Sequence, residues 1–311
     1  MKFSVLINNY NYGRFLDRAL ASVAAQTRPA DEVIVVDDGS TDDSLSVARR
    51  WAEKDSRINI IAKDNGGHLS ALNAGFRAAS GDIITFLDAD DEYLPTWLER
   101  LASMYAAAPE YDLVYCRVQM HGLSGPDPHR KLPDTDFDFG LTFFRTLLEG
   151  AAIGGPTSAI SARSAILKRF LPFSHEQAWR MCAERIVVYG TSLHMGRCLQ
   201  LAERLVRYHC HGRNAALNQP NDAIKRLRLE IASREAISQL LDHGWNSQWQ
   251  GDLPRLIAHE FQCIPHPRLR DVRTYARMIR RSDGRGRVRR QLQLWVEWWK
   301  KGGISRPSAC C

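Results

Sequence analysis

An α/β fold with a mainly parallel sheet flanked by helices is what the first 118 residues predict, and two observations carry that expectation. Short apolar runs alternate with amphipathic segments from residue 3 to about residue 118, the pattern of repeated βαβ units. Two of those runs, Glu32–Val36 and Ile83–Leu87, end abruptly in aspartates. In open α/β sheets the carboxyl ends of the strands are where ligands bind, so both clusters are expected on one cleft.

The elements follow in order. Phe3–Asn8 is drawn as the first strand, and Phe15, Leu16, Ala19, Leu20 and Val23 then recur at helical spacing. Glu32–Asp37 is the second strand, and Thr41–Lys54 is a helix behind an Asp/Ser-rich start. Ile58–Ala62 and Asp82–Asp88 are the third and fourth strands, with Asn65-Gly66-Gly67-His68 standing before a helix between them. Pro95 fits a first helical turn, where its missing N–H is not needed, and it opens a segment with Leu98, Leu101, Ala102 and Tyr105 on one face. Leu113–Val118 closes this series as a fifth strand.

Residues 121–140 break the pattern with Gly122, Gly125, Pro126, Pro128 and Pro133 among several aspartates, and are expected to form a loop. Leu141–Glu149 reads as a helix, Gly154–Ser158 as a tight turn into a short strand, and Glu176–Tyr189 as another helix. A last strand, Leu205–Cys210, runs into His211-Gly212-Arg213-Asn214. From Asp222 onward only helices are expected, ending in an amphipathic Arg285–Lys301 that carries Trp295, Trp298 and Trp299.

The division expected is a catalytic domain over residues 1–215 and a basic helical region over 216–311. Of the 42 lysines and arginines, 18 lie in that second part against 9 acids, so the net charge of +7 belongs to the tail. Such an excess suits contact with anionic lipid, nucleic acid or an anionic substrate, or simply a solvated basic helix. No run of 18 apolar residues and no charged-then-apolar leader is present, and the seven cysteines form no Cys-x-x-Cys pair. A reducing cytoplasm is therefore expected.

Asp88 and Asp90 stand two positions apart in an extended segment, so both can aim at one point. A divalent cation is the usual reason to converge like charges, whereas helix capping needs only one acid. The chain lacks Gly-x-x-x-x-Gly-Lys-Ser/Thr and has no Gly-x-Gly-x-x-Gly after the first strand, which weakens the ATPase and dinucleotide readings. A cation held by acids can instead neutralise a nucleotide's diphosphate.

Five ordered stretches resemble the family 2 glycosyltransferases: Ser4–Tyr12, Ser22–Thr27, Val35–Asp42, Asn65–Gly75 and Asp88–Asp91, with Tyr208–Asn214 similar to a motif that closes the catalytic domain. The resemblance implies a GT-A fold and an inverting transfer of a sugar from a nucleotide-diphosphosugar donor to a hydroxyl, in polysaccharide or cell-envelope synthesis. It also implies that Asn8 and Asp38 contact the base, that Asp88 lies near the ribose, and that Asp90 holds Mg²⁺ or Mn²⁺. Asp88 and His211 are candidate further metal ligands. Asn65 leads a turn whose N–H groups suit the donor's phosphates or sugar.

Inversion in one displacement needs a base on the acceptor side, and Glu184 is the candidate, with Glu176 in reserve. Glu184 beside Arg185 equally suits a helix surface, and the acidic pair usual in the family is absent. His209 stands where the family often has arginine, and His68 is given no catalytic role. The acceptor expected is a glycan or lipid-linked precursor, reached by a cytoplasmic protein resting on the inner membrane face. The C-terminal tryptophans fit such membrane-surface contact, although docking onto the catalytic part is favoured. A sugar nucleotidyltransferase is the second reading, poorly served by the single glycine and single arginine of Asn8–Arg14. A nucleic-acid-binding protein using the basic tail is the third, and nucleic acid is not expected because no recognisable module accompanies the arginines.

Overall fold

The computed structural model describes residues 1–122, 135–211, 223–241, 253–282 and 286–301. The chain begins with β1 (Phe3–Asn9), α1 (Gly13–Ala24), β2 (Glu32–Asp37), α2 (Ser44–Ala52), β3 (Ile58–Ala62), α3 (His68–Ala78) and β4 (Ile83–Asp88). Every strand contact in this half is parallel, in the order β3-β2-β1-β4. Strict alternation along β1 divides the core. Leu6 joins Ile34, Ile84 and Phe86 on one face, while Val5 and Ile7 join Val33, Val35 and Leu87 on the other. Helices α1 and α2 cover the second face, and α3 covers the first.

Beyond β4 come β5 (Glu92–Tyr93), α4 (Trp97–Ala107), β6 (Leu113–His121), β7 (Phe137–Gly140), α5 (Phe143–Glu149), β8 (Ile160–Arg163), α6 (Ser164–Leu167), α7 (Glu184–Leu193) and β9 (Cys198–His209). The sheet continues β4-β8-β6-β9-β5, with β7 also pairing with β9. Here the contacts are antiparallel except β6 with β9, so the parallel character is strongest in the first half of the sheet.

Three expected boundaries are corrected. The stretch expected as a loop over 121–140 contributes β7 at its end, because Phe137 and Phe139 are buried and pack edge-to-face at 4.7 Å while Asp138 takes the other side. Residues 123–134 of it lie outside the described residues. The last strand starts at Cys198 rather than Leu205, its Cys198–Leu201 portion lying beside β6. The helix expected over Glu176–Tyr189 is broken: a 3₁₀ turn over Glu176–Trp179 buries Trp179, Cys182 adopts φ 59°, and α7 starts only at Glu184. The break leaves backbone groups of this segment for α3, since the His68 N–H donates to the Arg180 carbonyl at 3.0 Å.

The remaining helices are α8 (Ala223–Leu241), α9 (Leu253–Gln262), α10 (Leu269–Arg281) and α11 (Arg287–Lys300). They do not hang from the sheet. Ala236, Ile237, Ile257, Phe261, Tyr275 and Leu294 join the same core as α5 and α7. The position drawn between residues 215 and 216 as a domain boundary falls outside the described residues, as do Arg213 and Asn214.

A buried carboxyl fastens α9 and α10 to the body. Glu260 accepts hydrogen bonds from the Phe144 N–H at 2.6 Å, the Arg145 N–H at 3.4 Å and the Tyr275 hydroxyl at 2.7 Å. Burial pushes its carboxyl up to about 7, against the opposing effect of those donors. A folded-state value above 4.5 means that the folded chain keeps a proton the unfolded chain has already released. This contribution to stability is therefore complete below 4.5 and lost as pH rises through about 7. Urea unfolding compared at about pH 5.5 and about pH 8 should show a smaller pH dependence for Glu260→Gln than for the wild type. Glu260→Ala should lower stability at both, by about 1–3 kcal/mol for each buried donor left without an acceptor.

Candidate functional site

Strands β1, β2 and β4 end side by side, and the parallel register sets Asn8 beside Asp88 and Asn9 beside Asp37. Their common rim opens into a cleft of about 540 Å³, walled on the far side by residues 180–184. The Asp88–Asp91 turn is held against β1, with the Ala89 N–H donating to the Asn8 carbonyl at 3.2 Å and the Asp91 N–H to the Asp88 carbonyl at 3.0 Å.

Along the cleft the Asn8 side-chain Nδ2 and Oδ1 are buried, and neither has a hydrogen-bond partner among the described residues. An amide donor and acceptor left together in this way match the edge of a planar heterocycle. Asp38 lines the same wall, but its carboxylate is already engaged. Oδ1 meets Lys63 Nζ at 2.7 Å and the Gly66 N–H at 2.9 Å, and Oδ2 meets the Gly67 N–H at 2.7 Å and Asn65 Nδ2 at 3.2 Å. Asp38 thus holds the turn that carries Asn65, and Asn65 Oδ1 in turn accepts from the Arg180 guanidinium.

The acidic cluster occupies the centre. Burial, reinforced by Asp90, pushes Asp88 up to about 7, with a Thr157 hydrogen bond opposing. Asp91 is fully buried and is pushed well above the usual carboxylate range by burial and by its two neighbours, although Ser158 Oγ donates to it at 2.6 Å and the His209 N–H at 3.0 Å. Ser158 Oγ also accepts the Asp88 N–H at 3.1 Å. Asp90 Oδ2 lies 2.9 Å from His211 Nε2, and the His211 ring stacks on Phe15 at 4.8 Å. Among the described residues no three His, Cys, Asp or Glu side chains converge as a ready-made metal cage. Asp90 and His211 present one carboxylate and one imidazole, a donor set that suits a divalent cation whose other positions go to phosphate oxygens and water.

Glu184 opens α7 on the opposite wall. Burial raises its carboxyl above 4.5, more than the neighbouring His68 lowers it. Glu176 faces elsewhere: Asn73 Nδ2 donates to it at 2.8 Å, and hydrogen bonds from Asn73 and Ser70 outweigh burial to lower its carboxyl. Glu176 does not line the cleft.

His68 does line it, although sequence reasoning gave it no catalytic role. Its Nδ1 accepts the Ala183 N–H at 3.3 Å, which leaves the ring proton on Nε2. Among the described residues Nε2 is buried without a hydrogen-bond partner and faces Asp88 Oδ1 at 3.7 Å, beyond hydrogen-bond length. Burial lowers the imidazole's pKa against the pull of Glu184 and Asp38, which favours a neutral ring. Lys63 and Arg180 were also missed, and the only sequence signal was one lysine beside an acid, whereas the Gly154–Ser158 turn singled out in the sequence does bring Thr157 and Ser158 to the cluster.

Comparison with known proteins fits this geometry. Residues 4–170 match the family described as glycosyl transferase family 2. The uncharacterized glycosyltransferase alr2836 of Nostoc sp. is 36% identical over 221 residues, covering 69% of this chain and 66% of its own length. Among solved structures, Staphylococcus aureus TarS residues 1–349 in complex with UDP-GlcNAc superimposes with a TM-score of 0.58 at 19% identity, over 98% of this chain and 93% of that one. The Pyrobaculum calidifontis mannosyltransferase PcManGT in complex with GDP-Man and Mn²⁺ superimposes with a TM-score of 0.56 at 18% identity, over 90% of this chain and 74% of that one. At these identities the two structures establish a shared fold, the mixed α/β sheet of the GT-A type. The sequence match spans more than half of the chain, and the protein belongs to glycosyl transferase family 2.

Proposed function

We propose that the chain is a metal-dependent inverting glycosyltransferase that moves a sugar from a nucleotide-diphosphosugar to a hydroxyl of a glycan or lipid-linked acceptor. The observation that carries this reading is one cleft along which the Asn8 amide is buried and, among the described residues, unpartnered, with Asp88 and Asp90 in the middle and the raised Glu184 carboxyl on the opposite wall. The GDP-Man and Mn²⁺ bound by the mannosyltransferase of the same fold support a donor of this class.

In this reading Asn8 meets the base, with Asp38 and Asn65 shaping that wall, and Asp88 lies against the ribose. Asp90 and His211, with Asp88 beside them, would hold Mn²⁺ or Mg²⁺, which supplies charge neutralisation for the departing diphosphate. Glu184 then takes the proton from the acceptor hydroxyl as its oxygen bonds to the anomeric carbon and the bond from that carbon to the diphosphate oxygen breaks. The neutral His68 Nε2–H stands between the two walls as a hydrogen-bond donor to the bound sugar or its phosphate. Work on cell-envelope or polysaccharide precursors from the cytoplasmic side is the setting proposed, and residues 1–215 are the part proposed to suffice for chemistry. Family membership favours this reading over a nucleotidyltransferase or a nucleic-acid-binding protein.

The first experiment is a donor screen, measuring nucleoside diphosphate release with Mn²⁺ across uridine, guanosine and thymidine sugars. Asp90→Ala should abolish release while the melting temperature stays near wild type. Absence of release from every donor, or full activity in Asp90→Ala, would overturn the proposal. Glu184→Gln should lower kcat by about 10²- to 10⁴-fold with little change in donor KM. A base works only when ionised, so the rate should climb with pH. The midpoint should lie above 4.5, since burial raises this carboxyl, and Glu184→Gln should lose that limb of the profile. Wild-type rates in this variant would remove Glu184 from the mechanism.

A further inference from the structure

Helix α11 carries two apolar faces, and among the described residues only one of them is covered. Leu294 is buried and Trp298 packs against the core. The same side is fastened by polar contacts: Gln291 Nε2 donates to the Ala276 carbonyl at 2.9 Å, and Lys301 Nζ donates to the Gln262 and Ile264 carbonyls, each at 2.7 Å. On the other side Val288 is 72% exposed, Leu292 62%, Trp295 40%, Val296 49% and Trp299 68%. At the helical repeat these five fall within an arc of about 100°, one continuous stripe rather than scattered apolar residues.

We propose that this stripe is a docking face for an anionic lipid surface, on which α11 lies flat. Charge selects that occupant. Arg289 and Lys300, both exposed, border one edge of the stripe, while Glu297 is the one acid of the helix and already lies 3.8 Å from Lys300. An apolar stripe with tryptophans and flanking cations matches the boundary between acyl chains and anionic headgroups. A second copy fits worse. A two-fold pairing of this face would set the cationic edges of the two helices against each other with no free acid to answer them. Among the described residues no helix is long and apolar enough to cross a membrane, so the contact is one of lying on the surface.

This inference stands apart from the catalytic reading, because its measurement is binding and not turnover. The full chain is centrifuged with vesicles of phosphatidylcholine alone and with vesicles also containing phosphatidylglycerol, and tryptophan emission is recorded in each. Binding to the anionic vesicles is expected, with a blue shift and loss at high salt. Trp295→Ser with Trp299→Ser should weaken it on the order of tenfold or more without changing the melting temperature. Arg289→Gln with Lys300→Gln should reduce the preference for anionic over neutral vesicles while leaving the core untouched. The proposal fails if the wild type ignores both vesicle types or binds them equally. It fails too if the serine variant binds unchanged, or if sedimentation shows the stripe holding two copies together, with a dimer that the serine variant abolishes.

Discussion

Three carboxylates within four residues, Asp88, Asp90 and Asp91, are gathered where β4 leaves the sheet, and the surrounding structure is arranged around their repulsion. Each answer to that repulsion comes from a different part of the chain: Ser158 before β8, the His209 N–H at the end of β9, the His211 ring stacked on Phe15 of α1. The antiparallel half of the sheet thus does electrostatic work for the parallel half. Desolvation nevertheless dominates at Asp88 and Asp91, so both hold protons more tightly than ordinary carboxyls.

The parallel half was legible because buried parallel strands leave near-continuous apolar runs and their ends leave acids. Phe3–Asn9, Glu32–Asp37, Ile58–Ala62 and Ile83–Asp88 form within one residue of their expected positions. The second half was less legible for a physical reason. Cys198–Leu201 and Phe137–Gly140 are ordered through pairing with strands far away in sequence, which local periodicity does not register. The break in the Glu176–Tyr189 segment is of the same kind: its Arg180 carbonyl and Ala183 N–H pair with the backbone and ring of His68, more than a hundred residues away. At the site, acids announced themselves by their number. His68 could not, because its tautomer is set by a backbone N–H 115 residues away.

The C-terminal helices show how one segment can serve two neighbours. Excess positive charge predicted a partner, while tryptophans at helical spacing predicted burial, and these looked like rival readings. In α11 the side bearing Leu294 and Trp298 meets the core, and the side bearing Val288, Leu292 and Trp299 remains outside. The carboxyl of Glu260 and the stem of Lys301 keep that arrangement in register with α5 and α9.

Gly67 places a limit on what this scaffold can become. It has φ 89°, and a methyl group added there would sit 2.6 Å from the Arg180 Cα, so two main chains touch at this point with no side chain between them. The spacing between the Asn65–Gly67 turn and the Arg180 segment that faces it is consequently fixed by peptide geometry. What the cleft admits would therefore change through the side chains at its mouth, because its gauge is not adjustable there.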